Sequence, residues 1–179
     1  MRVIKLETSR LLLRLLQPGD GEQMEVLIND HDIASTTLTI PHPYPKGAAD
    51  SFIQYRMEVA RKGGGYSFGI LDKSSGSFMG LVGLHIDKTH NRAELAYWLG
   101  KPYWNKGYMT EAAERVVRYA FDELKLNRVW AAAMTKNPAS THVMAKIGMR
   151  HEGTFRQHIK KWGVYEDVAY YGLLKEDKG

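Results

Sequence analysis

The sequence predicts an α+β fold: a mostly antiparallel mixed sheet of about seven strands flanked by four helices. Short apolar runs separated by turn residues recur along most of the chain, as expected of β-strands. Apolar residues at positions 109, 112, 113, 116, 117, 120, 121 and 124 have the 3.6-residue spacing of an amphipathic helix. That helix lies between two strand-like segments, which indicates one parallel strand pair within the sheet.

The first half of the chain begins with a strand and two helices. The apolar run at residues 10–16 ends before a Pro-Gly pair, so it predicts a short buried strand. Asp20 and the Gln three residues later resemble a capping box that opens a helix to about residue 29. Three prolines predict a loop at 36–45, and a second helix at 46–62 ends at three consecutive glycines.

The second half contains further strands and two helices. Residues 66–71, 78–87 and 92–99 predict three strands joined by tight turns. The amphipathic helix runs to about Leu126, and a strand follows at 128–134. Asn137 and the proline after it are typical of the start of a short helix, which ends near Gly148. The last predicted element is a hairpin that pairs 152–159 with 164–174.

Length and composition limit the classes of protein. A chain of 179 residues predicts one domain over 1–179. The absence of cysteine removes thiolate chemistry, and the seven histidines lack metal-ligand spacing, so we predict no metal. Neither a signal peptide nor a membrane-length apolar run is present, so we expect a cytoplasmic protein without a membrane partner. The net charge of +5 is dispersed, which favours an anionic cofactor over nucleic acid.

The segment from Trp104 to Thr110 connects a strand to the amphipathic helix. A glycine-containing loop at a helix N-terminus presents unpaired backbone N–H groups and suits a pyrophosphate. The predicted binding residues of this loop are Asn105, Lys106, Gly107, Tyr108, Met109 and Thr110. The alternative is that Gly107 only permits the turn from strand to helix.

This loop and the Asn137-Pro138-Ala139-Ser140 segment together resemble the acetyl-CoA site of the GNAT N-acetyltransferase superfamily. The common family pattern, Arg/Gln-x-x-Gly-x-Gly/Ala, is absent at Trp104 and Met109. The pattern Trp-x-Lys-Gly-Tyr-x-Thr-Glu-Ala is instead similar to the RimJ/RimL-like branch of ribosomal-protein acetyltransferases. The resemblance covers nearly the whole chain. It implies a three-layer fold, acetyl-CoA as co-substrate, and direct acetyl transfer to a primary amine in a ternary complex.

The resemblance also implies roles for individual residues. The backbone of Tyr97, Trp98 and Leu99 would pair with the pantetheine arm, which Asn137 would also contact; the alternative for Asn137 is a plain helix cap. Many members carry a tyrosine as general acid where this chain has Met144, and Ser140 is then the remaining candidate to contact or protonate the thiolate. The alternative for Ser140 is a helix-surface serine.

Turn counting suggests the general base. A four-residue turn at 88–91 places His85 opposite Glu94 on one face of the hairpin. A histidine beside a carboxylate can accept a proton directly or through water. The alternative is an ordinary cross-strand polar pair.

Rival functions stay open at this point. A non-catalytic protein that binds CoA or an acidic partner could have the same fold. The Gly-x-Ser-x-Gly sequence at residues 65–69 matches a hydrolase elbow, but it precedes a strand where an elbow needs a helix. The acceptor could be a protein N-terminus, a polyamine, an amino sugar or a metabolite, and His31, Asp32, His42 and Tyr44 are candidates to face it. The sequence is also compatible with a homodimer.

Overall fold

The computed structural model describes residues 3–178. Eight strands form one sheet in the order β1-β2-β3-β4-β5-β6-β8-β7. All neighbouring strands are antiparallel except β5 and β6, which are parallel. The strands are β1 (Lys5–Glu7), β2 (Leu11–Leu15), β3 (Gly65–Asp72), β4 (Phe78–Asp87), β5 (Arg92–Leu99), β6 (Arg128–Met134), β7 (Arg150–Lys161) and β8 (Val164–Leu174).

Five α-helices accompany the sheet in the described part of the chain. They are α1 (Gly21–Ile28), α2 (His31–Thr36), α3 (Ala48–Arg61), α4 (Tyr108–Asp122) and α5 (Pro138–Lys146). The predicted α+β architecture with its mostly antiparallel sheet is confirmed, with one strand and one helix more than expected. The additional elements are short: β1 has three residues, and α2 has six residues and begins where the Asp30 carboxylate accepts the Asp32 N–H.

The two faces of the sheet carry different helices, so the molecule has three layers. Helix α4 lies on the main core, where its apolar stripe packs against alternate residues of the central strands, such as Val82, Ala93 and Val129. Helices α1 and α3 pack on the opposite face, against β4 and β3, in a second core cluster that includes Leu81 and Trp98. Side chains of β5 and β6 therefore alternate between an α4 face and an α3 face.

Strands β5 and β6 separate after a short pairing, and this creates the cleft. Their register joins only 92–94 to 128–130. The Gly100 N–H donates to the Met79 carbonyl at 2.8 Å, so the backbone of even-numbered residues at this end of β5 faces β4. Because backbone groups alternate in direction along a strand, those of Leu95, Tyr97 and Leu99 face the gap beside β6.

Candidate active site

A cleft of about 520 Å³ lies between the separated ends of β5 and β6. Residues of both strands line it together with α5, α1, α3 and the loop after α2. Glu94, Tyr97, Asn137 and Ser140 all contribute to its wall. Its size is that of pockets that hold small-molecule ligands.

The predicted pyrophosphate loop lies at the N-terminus of α4. Gly107 occupies the N-cap position with φ 78°, and Asn105 also has a positive φ of 62°. This conformation turns the chain into the helix while the first N–H groups of α4 remain without intrahelical partners. The side chain of Met109 is buried in the main core, so only its backbone can serve a ligand.

Arg10 is a neighbour of this loop that the sequence analysis missed. Its guanidinium donates to the Lys106 carbonyl at 3.0 Å and to Glu111 at 2.8 Å, and it lies 4.2 Å from the centre of the Tyr108 ring. The half-exposed guanidinium is paired with the Glu111 carboxylate, so its contribution is to hold the loop through the Lys106 carbonyl. No local signal could reveal it, because 96 residues separate Arg10 from Lys106.

The Tyr97 hydroxyl lies at Ser140, on the α5 side of the cleft. It donates to the Ser140 carbonyl at 2.8 Å and accepts from the Ser140 hydroxyl at 3.0 Å. Burial raises the pKa of Tyr97 to about 12, although the hydrogen bond with Ser140 opposes this rise. The phenol therefore stays protonated near neutral pH. The resemblance suggested only a backbone role for Tyr97, so this hydroxyl is a further candidate acid in place of the absent tyrosine at 144.

Asn137 joins the cofactor side of the cleft to the loop after α2. Its Oδ1 accepts the Ser140 N–H at 3.3 Å, as a helix N-cap does. Its Nδ2 donates to the Thr36 carbonyl at 3.2 Å. The Lys161 ammonium holds the same loop a few residues later through the Ile40 carbonyl at 2.6 Å.

Trp98 and Leu99 cannot both offer the pantetheine arm the backbone contacts that were expected of them. The backbone of Trp98 faces β4, so Trp98 can offer the cleft its ring alone. The ring itself is nearly buried in the second core cluster. The Leu99 carbonyl already accepts from the Trp104 indole N–H at 2.7 Å. The parallel pairing of Glu94 with Trp130 uses the Leu95 N–H. The backbone groups that remain open toward the gap are therefore the Leu95 carbonyl, both groups of Tyr97 and the N–H of Leu99.

Glu94 and His85 lie directly opposite each other on β5 and β4, as turn counting predicted. Both side chains are on the α3 face and line the cleft. Burial raises the pKa of the Glu94 carboxyl. The carboxylate forms no ion pair with any residue of the described range 3–178.

A buried arginine, also missed in the sequence, fixes the state of His85. The Arg56 guanidinium lies 3.3 Å from Nδ1 of His85 and donates to the Ser67 hydroxyl at 2.7 Å. Because a guanidinium can only donate, Nδ1 is an unprotonated acceptor and the ring proton of neutral His85 is on Nε2. Burial and the charge of Arg56 lower the pKa of His85.

The hydrolase reading does not fit the geometry. Ser67 is buried within β3, where its hydroxyl accepts from Arg56, and β3 continues to Asp72 without a helix. Among residues 3–178, no group of three or more His, Cys, Asp or Glu side chains is placed to hold a metal ion. Nor does this range contain a helix with the length and apolar character to cross a membrane.

The layered sheet, its split between two parallel strands and the glycine loop at α4 define the class of acetyl-CoA-dependent acetyltransferases. Residues 10–150 match the model of the GNAT acetyltransferase domain, and the chain belongs to that family. It is an N-acetyltransferase, with acetyl-CoA and an amine acceptor as its substrates. The predicted family, fold, enzyme class and co-substrate are confirmed.

Individual relatives support the same family. The Bacillus subtilis protein provisionally named ribosomal N-acetyltransferase YdaF is 33% identical over 175 residues, which cover 93% of this chain and 92% of that protein. The uncharacterized N-acetyltransferase p20 of Bacillus licheniformis is 30% identical and covers 96% of this chain and 97% of its own. A solved GNAT-family acetyltransferase from Bacillus anthracis superposes with a TM-score of 0.87 at 27% identity, covering 97% of this chain and 99% of that one.

Proposed function

We propose that this N-acetyltransferase transfers acetyl directly from acetyl-CoA to a primary amine, with the thioester in the gap between β5 and β6. The observation that carries this proposal is the arrangement around the gap. Glu94 lies on the α3 face, whereas Tyr97 and Ser140 lie on the side of α4 and α5. A thioester between them would meet an amine from one face and release its thiolate on the other.

The cofactor would be held mainly by backbone groups. The loop at 105–110 and the free N–H groups of α4 suit the pyrophosphate, with Lys106 as a nearby positive charge and Arg10 holding the loop from its ion pair with Glu111. The open carbonyl of Leu95, the backbone of Tyr97 and the N–H of Leu99 suit an extended pantetheine arm that would pair as an added strand. An N–H donor on this edge would stabilise the oxyanion that develops as the amine attacks.

Glu94 is the proposed proton acceptor. The attacking amine must lose a proton, and a carboxylate with a raised pKa is a better base than an exposed one. His85 does not fit that role, because Arg56 occupies Nδ1 and the Nε2 atom already carries the ring proton. We assign His85 a positioning role beside Glu94, with its Nε2–H as the group that can donate a hydrogen bond.

Tyr97 and Ser140 are the proposed partners of the departing thiolate. The Tyr97→Phe variant removes one hydroxyl and its hydrogen bonds with Ser140 while the ring that packs against the main core remains. We expect kcat to fall by about tenfold to a hundredfold, the lower range of general acid catalysis. The affinity for CoA should change by less than about fivefold, because one hydrogen bond contributes roughly 1 kcal/mol.

Steady-state rates and CoA titrations by calorimetry on the same preparations measure both quantities. Ser140→Ala serves as the matched variant, since it removes the hydroxyl at the other end of the same hydrogen bond. If kcat is unchanged in both variants, neither hydroxyl protonates the thiolate and water must do so.

The kinetic order tests the function itself. The chain has no cysteine to carry an acetyl group, and Ser67 is buried and bonded to Arg56. Initial-rate plots at several fixed amine concentrations should therefore intersect, as a ternary complex requires. Parallel lines, or acetyl-protein trapped without acceptor and detected by mass spectrometry, would instead require a covalent intermediate. Binding of acetyl-CoA with no turnover across a panel of amines would favour the non-catalytic alternative.

The acceptor class that we favour is a polypeptide N-terminus. YdaF is named for ribosomal acetylation, and an Escherichia coli relative that is 23% identical over 180 residues is named a ribosomal protein uS5-alanine N-acetyltransferase. A spermidine N-acetyltransferase from Vibrio cholerae shares the fold with a TM-score of 0.82 at 24% identity. A mass-spectrometric screen of peptides and polyamines separates these classes.

The proposal also covers the domain organisation, location and assembly of the enzyme. We keep the expectation of one domain over 1–179 in the cytoplasm, without a membrane or nucleic-acid partner. A homodimer is compatible with this proposal, because the cleft is built from one chain. Sedimentation of the purified protein measures that assembly.

A further inference from the structure

A row of aromatic rings crosses the sheet beside Glu94. Trp130 is the register partner of Glu94 on β6, so their side chains are neighbours on the α3 face. The Trp130 ring stacks on Tyr170 of β8 with ring centroids 5.7 Å apart, and Tyr170 contacts Phe155 of β7 at 4.7 Å. We call Trp130, Tyr170 and Phe155 the aromatic row.

The aromatic row is open to solvent. Helices α1 and α3 cover the β3 and β4 part of this face, and most residues of β7 are exposed. Trp130 and Tyr170 are half-buried, and the Phe155 side chain is 50% exposed at the edge of the sheet. A half-exposed phenylalanine next to two stacked rings has apolar area available for a ligand.

The row begins beside Glu94, the residue of the cleft wall that pairs in register with Trp130. The negative charge of Glu94 contributes, after burial, to the raised pKa of Tyr170, so the carboxylate acts on the middle ring of the row. Glu94 has no cationic partner of its own among residues 3–178. A cationic amine at Glu94 and an apolar body on the rings would match both charge and polarity.

The length of the row sets the size of the ligand. Three rings at these spacings span roughly 10 Å, and an extended chain advances about 3.3 Å per residue. About three residue steps are therefore needed to cross the row, so a peptide with its N-terminal amine at Glu94 would reach Phe155 with its fourth residue or a later one.

We propose that the aromatic row binds the first residues of a polypeptide acceptor and selects apolar or aromatic side chains after its N-terminal residue. The inference rests on the proposed acetylation of an N-terminus and adds the surface that recognises the peptide. Phe155, the most exposed of the three rings, would determine specificity for the residue farthest from the amine.

Two peptides and three variants test the proposal. The peptides are Ala-Ala and Ala-Ala-Ala-Phe, each with an amidated C-terminus so that only the length and the ring differ. We expect the parent enzyme to have the lower KM for the longer peptide. Phe155→Ala should raise that KM by about tenfold and leave the KM of Ala-Ala within about twofold, since only the longer chain reaches the edge ring. The KM of Phe155→Leu for the longer peptide should lie between the values of the parent and of Phe155→Ala.

Tyr165→Ala is the matched control. Tyr165 is 59% exposed on the same hairpin, but its ring faces the Lys160 ammonium and not the row. It should leave both KM values unchanged. Equal KM values for the two peptides in the parent, or no change in Phe155→Ala, would overturn the aromatic row as a peptide site while peptide acetylation itself still stood. Loss of a dimer on sedimentation of Phe155→Ala would overturn it in favour of a contact between two copies.

Discussion

Replacing Glu94 with glutamine is expected to lower kcat/KM for the amine by about 10²–10⁴-fold at neutral pH, the usual cost of losing a general base. Glutamine keeps the size of the side chain but cannot accept the proton that the amine must lose. The affinity for CoA should stay nearly unchanged, because the carboxylate lies on the α3 face, away from the loop at 105–110. Steady-state kinetics and a CoA titration measure the two effects separately.

The dependence of the rate on pH tests the same role of Glu94. A base must be ionised to act, and burial raises the pKa of Glu94, so parental activity should fall as the pH drops through that raised value. The Glu94→Gln variant should not show this fall in activity, because it has no carboxylate to protonate. Its deficit should shrink at high pH, where an amine with a pKa of about 8 to 10 arrives already deprotonated. The control is Glu114→Gln, which changes an exposed carboxylate on α4. If Glu94→Gln has the parental rate at neutral pH, Glu94 is not the general base and is only a residue on the surface of the strand.

Gly107→Val should weaken CoA binding by about tenfold or more, because a left-handed backbone costs a residue with a side chain roughly 1–2 kcal/mol. Gly107 has φ 78° at the N-cap of α4. A Cβ there would meet only the Arg10 guanidinium, at 3.5 Å, so the penalty is conformational and not a collision within the free protein. Valine would turn the N–H groups of the loop away from the pyrophosphate. Calorimetric titration with CoA measures the loss.

The chain provides a matched control for this substitution. Gly47 is the N-cap of α3 with φ 83°, and a Cβ there would meet nothing within 4 Å. Gly47→Val therefore carries the same backbone penalty at a helix start outside the cofactor loop. It should lower the melting temperature to a similar extent and leave the CoA affinity unchanged. Equal CoA affinities of Gly107→Val and the parent would show that this loop does not hold the cofactor.

Local patterns in the sequence predicted the features that depend on local geometry. The four-residue turn after Asp87 is defined by neighbouring residues, so the pairing of His85 with Glu94 followed from counting. Gly107 and Asn137 are cap positions whose signals lie within a few residues of each helix start. The apolar stripe of α4 likewise identified the helix that packs on the main core.

Contacts between distant segments could not be predicted in that way. Arg56 contacts His85 across 29 residues, and Tyr97 contacts Ser140 across 43. The packing of helices on the sheet brings each pair together, and neither segment carries a signal for its partner. The strand β1 was missed because it has only three residues, and α2 because six residues next to a proline-rich loop show no helical period.

The short pairing of β5 with β6 also links the folded state to acetyl-CoA supply. Only 92–94 of β5 pair with β6, so much of the backbone on this edge has no strand beside it until a ligand fills the gap. Anything that binds the native chain and not the unfolded one shifts the folding equilibrium by mass action, by about 2.7 kcal/mol at 100 times Kd. The survival of this enzyme at high temperature, or against a protease, would thus rise and fall with the concentration of its own co-substrate.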